Sequence, residues 1–76
     1  METTYPAMTF GLAIEAMKRG EWVRRAGWSG KDVRVSLSTP DGTRPYFCLL
    51  DIEGEYHLYW LPSAPDCLAD DWRIAE

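Results

Sequence analysis

Residues 60–72 read WLPSAPDCLADDW, and the rest of the chain is organised around this stretch. Pro62 has no N–H to offer a β-ladder, so the apolar strand before it is expected to end there. Ser63 and Asp66 have the spacing of a capping box, with Asp in place of Glu, and Pro65 fits the first turn of a helix. The pattern predicts a strand over 56–61, a helical turn over 65–69 and a last short strand over 72–74.

The same stretch brings two tryptophans, a helix N-terminus and a carboxylate close together in the sequence. Such a group can hold a flat, polar ligand. It can also be a well-capped corner of a small fold, and the pattern alone leaves both interpretations open.

Upstream of this stretch, one amphipathic helix is predicted from Thr9 to Arg19. Thr9 is an N-cap candidate, and Gly20 suits the position just after the helix, following a basic pair at 18–19. Apolar residues recur at helical spacing along one face, at Phe10, Ala13, Ile14 and Met17. This helix is expected to cover one face of a sheet.

The middle of the chain alternates short apolar runs with turn signals. Strands are predicted at 21–25, 32–38, 45–51 and 55–61, with turns at 39–43 and 53–54. The run at 45–51 is apolar on both faces, so it is expected to be a central strand. The sequence therefore predicts an α+β fold: a small antiparallel meander, one N-terminal helix on one face and a short C-terminal helical turn.

The 76 residues are enough for one domain. Residues 1–7 carry no pattern and are expected to form a flexible leader, with the domain at 8–76. No apolar run approaches the roughly 18–20 residues of a membrane span, and no secretory signal is recognisable. The sequence predicts no membrane partner.

The formal net charge of −4 argues against binding to a DNA or RNA polymer. The charge is unevenly placed, because residues 18–34 hold six basic side chains and only two acidic ones. This local basic patch is able to meet a few phosphates. It can also be an ordinary solvated face.

Residues typical of catalysis are sparse. Cys48 and Cys67 lie in apolar runs and are expected to be two buried thiols, not a disulfide. The single histidine, His57, has no second histidine at metal-ligand spacing and is expected to be at the surface or half-buried. No nucleophile motif or phosphate-binding loop occurs. We therefore predict no enzymatic activity, no metal and no cofactor.

With catalytic motifs set aside, the remaining candidate is a binding site made of aromatic rings and cations. Trp28 lies between two glycines, Trp60 ends an apolar run, and Tyr46 or Tyr59 provides a further ring. Stacking rings together with a few arginines and one carboxylate suit a nucleotide. Trp72 is expected to belong to the core.

Four segments, in this order and spacing, resemble the Thoeris anti-defence two family. They are the MTFG that opens the first helix, VRRAGWSGK at 23–31, the Pro-Tyr pair at 45–46, and residues 60–72. Together they cover residues 8–76, nearly the whole chain. The Gly-Trp block and the Trp-Leu-Pro-Ser block are specific in combination.

This resemblance implies a function. Members of the family are small phage or prophage proteins that bind nucleotide second messengers of bacterial immune systems and sequester them without cleavage. The ligand is a cyclised ADP-ribose species or, for some members, a cyclic dinucleotide. The resemblance also implies a homo-oligomer, a tetramer, with ligand pockets between protomers, acting in the cytoplasm of the bacterial host. It leaves open which nucleotide this chain binds.

The motif of the family also implies roles for individual residues. Its two tryptophans correspond to Trp28 and Trp60, which are expected to stack on a base. Its Ser and Asp correspond to Ser63 and Asp66, and the carboxylate is expected to accept a hydrogen bond from an adenine amine or a ribose hydroxyl. The remaining candidates are Arg25 and Lys31 for phosphate and Tyr46 as a further ring.

Two other functions stay open beside this one. The chain can be a protein-binding module that blocks a host defence protein through its aromatic surface. It can also be a small phosphodiesterase.

Overall fold

The computed structural model describes residues 7–30, 32–39 and 44–75. Their element order is α1 (Phe10–Lys18), β1 (Val23–Arg25), β2 (Arg34–Ser38), β3 (Tyr46–Leu50), β4 (Tyr56–Leu58), α2 (Ala64–Leu68) and β5 (Trp72–Ile74). The expected leader, apart from Ala7, lies outside the described residues, as does most of the predicted turn at 39–43. Neither α1 nor α2 is long and apolar enough to cross a membrane.

The five strands form one antiparallel sheet in the order β4-β3-β2-β1-β5. Strands β1 to β4 follow one another as a meander, and β5 returns to pair with β1 at the far edge. With α1 and the short α2, this confirms the predicted α+β class. Strand β3 lies between β2 and β4, as its two apolar faces predict.

Helix α1 forms where the sequence predicts it, one residue shorter at each end. The Thr9 hydroxyl accepts a hydrogen bond from the N–H of Leu12 at 3.3 Å, which satisfies one of the free donors of the first turn. Gly20 has a φ of 92°, a left-handed conformation that suits glycine after a helix. The buried face of the helix consists of Phe10, Ala13, Ala16 and Met17.

The core lies between α1 and one face of the sheet. The register pairs Val23 with Val35 on one side and with Ile74 on the other, so these three side chains share that face. Because side chains alternate along a strand, Arg25 and Trp72 lie on it too. Val23, Val35 and Trp72 are fully buried against the helix, which confirms the core position predicted for Trp72.

The predicted strand at 56–61 is wrong at its C-terminal end, since β4 stops at Leu58. Tyr59 has a φ of 60°, in the left-handed region, which is incompatible with an extended strand. The chain therefore turns three residues before Pro62. The N–H of Trp60 still donates to the carbonyl of Phe47 at 3.0 Å, so the backbone returns alongside β3.

The burial predicted for the two cysteines is right for one of them. Cys48 in β3 is buried, whereas Cys67 in α2 is exposed, and both are free thiols. The prediction for Cys67 is wrong because α2 buries none of its own residues. His57 is exposed, as expected, and its Nε2 lies 2.6 Å from Oδ2 of Asp51.

Replacing Trp72 with alanine is expected to lower the free energy of unfolding by about 3–5 kcal/mol, the usual cost of removing a buried tryptophan. Its side chain is fully buried, so little relaxation can fill the space. Urea denaturation followed by circular dichroism measures the change. Leu12→Ala is the control, because that leucine of α1 is 56% exposed. Equal loss in both variants would contradict the core position of Trp72.

Candidate ligand-binding site

Five aromatic side chains form a closed ring on the helix-covered side of the sheet. Going round the ring, neighbouring centroids are 5.0–6.1 Å apart, in the order Phe10, Phe47, Trp60, Trp28 and Trp72. Trp28 meets Trp60 and Trp72 edge to face, at 79° and 76°. Such contacts stabilise aromatic pairs beyond the area they bury. Trp28 and Trp60 therefore support each other and do not form a parallel slot.

An apolar groove of about 410 Å³ opens beside this ring. Its lining residues are Ile14, Lys18, Leu37, Pro45, Tyr46, Phe47, Tyr59, Trp60 and Leu61. The rings of Tyr46 and Tyr59 stack with centroids 4.2 Å apart. The volume and the largely apolar walls are those of a small-molecule site.

A network of polar contacts joins α2 to the sheet. Nη1 of Arg25 lies 3.0 Å from Oδ1 of Asp66, and its Nε lies 2.9 Å from Oδ1 of Asp71. The second oxygen of Asp66 accepts the N–H of Ser63 at 3.1 Å, while the Ser63 hydroxyl accepts the N–H of Asp66 at 3.3 Å. This is the predicted capping box. The indole N–H of Trp72 donates to the carbonyl of Asp66 at 2.9 Å.

The network favours the charged forms of both aspartates. Burial alone would raise the pKa of Asp66, but hydrogen bonds from Ser63 and the guanidinium of Arg25 outweigh it and hold that pKa below its ordinary value. The hydrogen bond from Arg25 is the main cause that lowers the pKa of Asp71. The same carboxylates raise the pKa of Arg25. The three side chains therefore stay ionised together.

A family model for the Thoeris anti-defense 2-like domain matches residues 8–75 of this chain. A curated relative, Thoeris anti-defense 2 of Bacillus phage SP01, is 32% identical over 84 residues, which cover 88% of this chain and 93% of the relative. The chain belongs to the Thoeris anti-defense 2-like family. This membership confirms the resemblance found in the sequence, and it supports a phage anti-defence role.

In this member of the Thoeris anti-defense 2-like family, the predicted site residues fall into two groups. Tyr46 and Trp60 line the apolar groove. Arg25, Ser63 and Asp66 belong to the polar network. Trp28 contacts Trp60 on one side and Trp72 on the other, so it links the groove to the network. Lys31 lies outside the described residues.

The position of Arg25 bears on its predicted role at phosphate. Its side chain is 25% exposed and already contacts two carboxylates. A phosphate at this guanidinium has to compete with both of them. The role of Arg25 at phosphate stays a prediction.

Several groove and network residues were missed by sequence reasoning. Lys18 follows Ile14 by four residues, a spacing that places both on one side of α1 and was a usable signal. Asp71 pairs with Arg25 across 46 positions, and no local pattern signals such a contact. Leu37 and Phe47 pair across β2 and β3, so they are recognisable as groove residues only once the register is known.

The stability of the fold is expected to fall as the pH drops below about 4, the ordinary value for aspartate. The folded-state pKa values of Asp66 and Asp71 are lowered. Their contribution is therefore complete above the unfolded-state value and is lost as the pH falls through the folded-state values. Urea midpoints measured between pH 7 and pH 2 test this.

The matched comparison is the double variant Asp66→Asn with Asp71→Asn. We expect a lower midpoint at pH 7 and a weaker fall toward acid than in the parent protein. Asp70→Asn, at the exposed neighbouring position, serves as the control. Parallel pH profiles for the parent and the double variant would contradict the role assigned to this network.

Proposed function

We propose that this chain is a phage anti-defence protein that binds and sequesters a cyclic nucleotide immune messenger without cleaving it. The messenger is a cyclic ADP-ribose isomer or a cyclic dinucleotide. The observation that carries the proposal is the apolar groove with its stacked tyrosines and Trp60, in a chain of the Thoeris anti-defense 2-like family.

The groove offers what a nucleobase needs. A base gains stacking free energy on the flat rings of Tyr46 or Trp60, and the aliphatic walls exclude water from it. Lys18 lines the groove, and its ammonium pairs with Glu15 at 3.2 Å. Because both side chains of that pair are about 60% exposed, the pair contributes little and exchanges readily for a phosphate.

Binding without cleavage fits the chemistry of the walls. The described residues that line the groove are aliphatic and aromatic apart from Lys18. Hydrolysis of a phosphodiester requires a positioned base, nucleophile or metal at the reacting phosphate. The carboxylate of Glu15 pairs with Lys18, and that of Asp66 is held by Arg25 and the capping box.

Retention followed by heat release tests the proposal. The protein is incubated with cyclic ADP-ribose isomers and cyclic dinucleotides, freed of unbound nucleotide, denatured by heat and analysed by chromatography. We expect one nucleotide to be retained and then released intact. Release of a ring-opened or smaller product would indicate a phosphodiesterase. Retention of none would overturn the proposal and favour the protein-blocking alternative.

Trp60→Ala and Tyr46→Ala are each expected to weaken binding roughly 5- to 150-fold, since stacking one base contributes roughly 1–3 kcal/mol. Calorimetric titration gives the affinity, and thermal denaturation on the same samples shows whether each variant is folded. Trp22→Ala is the control, because Trp22 contacts Tyr56 on the opposite face of the sheet. Parental affinity in folded Trp60→Ala and Tyr46→Ala would exclude stacking in this groove.

The proposed sponge assembles as a homo-oligomer, a tetramer. Several large apolar side chains remain uncovered in the single chain, and the most exposed are Leu61 at 82% and Leu68 at 84%. Leu61 lies three residues before α2 and Leu68 is its last residue, and Leu61 also lines the groove. Exposed apolar surface of this kind commonly marks an interface.

Light scattering coupled to size exclusion is expected to give a mass above that of the 8.7 kDa chain. The double variant Leu61→Asp with Leu68→Asp should shift the protein toward smaller species, since charged side chains oppose burial in an interface. Leu12→Asp, at an exposed leucine of α1, is the control. A monomer at micromolar concentration in the parent protein would refute the assembly.

A further inference from the structure

Arg24 is a charged residue inside the protein, with only 6% of its surface exposed. Its guanidinium donates to three backbone carbonyls. Nη2 reaches the carbonyl of Trp28 at 2.7 Å, Nη1 reaches that of Gly30 at 2.9 Å, and Nε makes a longer contact of 3.4 Å to that of Arg25. Two of these acceptors belong to the loop that carries Trp28.

Burying a guanidinium is costly unless its donors are satisfied. An arginine carries five donors in a rigid, planar fork, so it can hold two carbonyls at a fixed separation. The two short distances are those of strong charge-assisted hydrogen bonds. The buried guanidinium of Arg24 therefore holds the backbone of the loop in position.

The loop is also constrained at its other end. Gly30 has a φ of 77°, and a Cβ built on it would lie 2.8 Å from Cδ1 of Ile52. The N–H of Trp28 donates to the carbonyl of Arg25 at 3.2 Å, and the N–H of Val33 donates to that of Gly30 at 3.1 Å. These short-range bonds shape the loop, and Arg24 attaches it to the sheet.

Arg24 and Arg25 are neighbours in β1, so their side chains leave opposite faces of the sheet. Arg25 reaches the aspartates at α2 and at the start of β5. Arg24 reaches the loop. Two consecutive arginines of β1 thus attach two segments to the sheet. Arg24 attaches the loop that carries Trp28, and Arg25 attaches the segment that carries the capping box.

We propose that Arg24 is a positioning residue for ligand binding. By holding the carbonyls of Trp28 and Gly30 it fixes the indole of Trp28 against Trp60, and it thereby sets the orientation of the Trp60 ring at the groove. This inference rests on the proposed function, since it concerns the same groove and the same nucleotide.

The test compares Arg24→Gln and Arg24→Lys with the parent protein by nuclear magnetic resonance and calorimetry. Each tryptophan gives one indole N–H signal, and Trp28→Phe assigns that of Trp28. In Arg24→Gln we expect the Trp28 signal to shift or broaden, because two carbonyls of its loop lose their guanidinium donor. Affinity for the nucleotide that the parent retains should fall roughly 5- to 150-fold, the range for one stacked base.

Arg73→Gln is the charge-matched control, since Arg73 pairs with Arg24 across β1 and β5 and its side chain is exposed. It should leave the Trp28 signal and the affinity as in the parent. Arg24→Lys keeps the charge but lacks the two-pronged fork, so intermediate values are expected. A purely structural role would instead lower the melting temperature and leave the Trp28 signal and the affinity of the folded protein unchanged.

The outcomes separate this inference from the proposed function. A folded Arg24→Gln with a parental Trp28 signal and parental affinity overturns the inference. If Arg24→Gln does not fold, parental values in Arg24→Lys overturn it, because the fork would then be dispensable. A parent protein that binds no nucleotide overturns the proposed function, while the Trp28 signal still decides whether Arg24 positions the loop.

Discussion

The indole of Trp72 is the constraint on which the arrangement of the other elements depends. It is fully buried, and a buried indole N–H needs an acceptor. The acceptor is the carbonyl of Asp66, at 2.9 Å, so the burial of Trp72 determines where α2 lies. The backbone of Trp72 also exchanges two hydrogen bonds with Met8, and its ring contacts Phe10 and Trp28. One residue therefore connects the N-terminal segment, α1, the loop and α2 through its backbone and its side chain.

Polar contacts, including the one from the indole of Trp72, determine where helix α2 lies at the edge of the site. It has five residues and buries none of them, so neither intrinsic helix stability nor apolar packing accounts for its position. Polar contacts do: the capping box of Ser63 and Asp66, the ion pair with Arg25, and the indole of Trp72. The core between α1 and the sheet is held by apolar burial, whereas this edge of the site is held by charge and hydrogen bonding. The two parts of the molecule therefore respond to different conditions.

The same distinction explains what the sequence could predict. The Thr9 cap, the capping box and the core position of Trp72 were all predictable because their signals lie within a few residues, and the alternating pattern located β2. The left-handed Tyr59 ended β4 early without any glycine or proline to signal it. The carboxylates that Arg25 contacts are 41 and 46 positions away in the sequence. Arg25 was therefore recognisable as a basic residue, but its ion pairs were not. The contacts of Arg25 with these aspartates depend on how distant strands pair, and a single sequence does not reveal that register.

The basic patch at 18–34 shows how this bears on ligand chemistry. Its described members are already engaged: Lys18 and Arg19 with glutamates, Arg24 with carbonyls, Arg25 with two aspartates, and Arg34 over the ring of Trp22. Of these five, Lys18 alone lines the apolar groove. A groove with apolar walls, and with Lys18 as the one cationic residue among its described lining, gives little compensation for burying a highly charged nucleotide such as a linear triphosphate. Under the proposed function, a cyclic ADP-ribose isomer or a cyclic dinucleotide fits better, because either carries fewer phosphate charges than a triphosphate. Under the same proposal, the aromatic rings supply most of the affinity, and the groove disfavours a ligand with more phosphate charge than its described cation can balance.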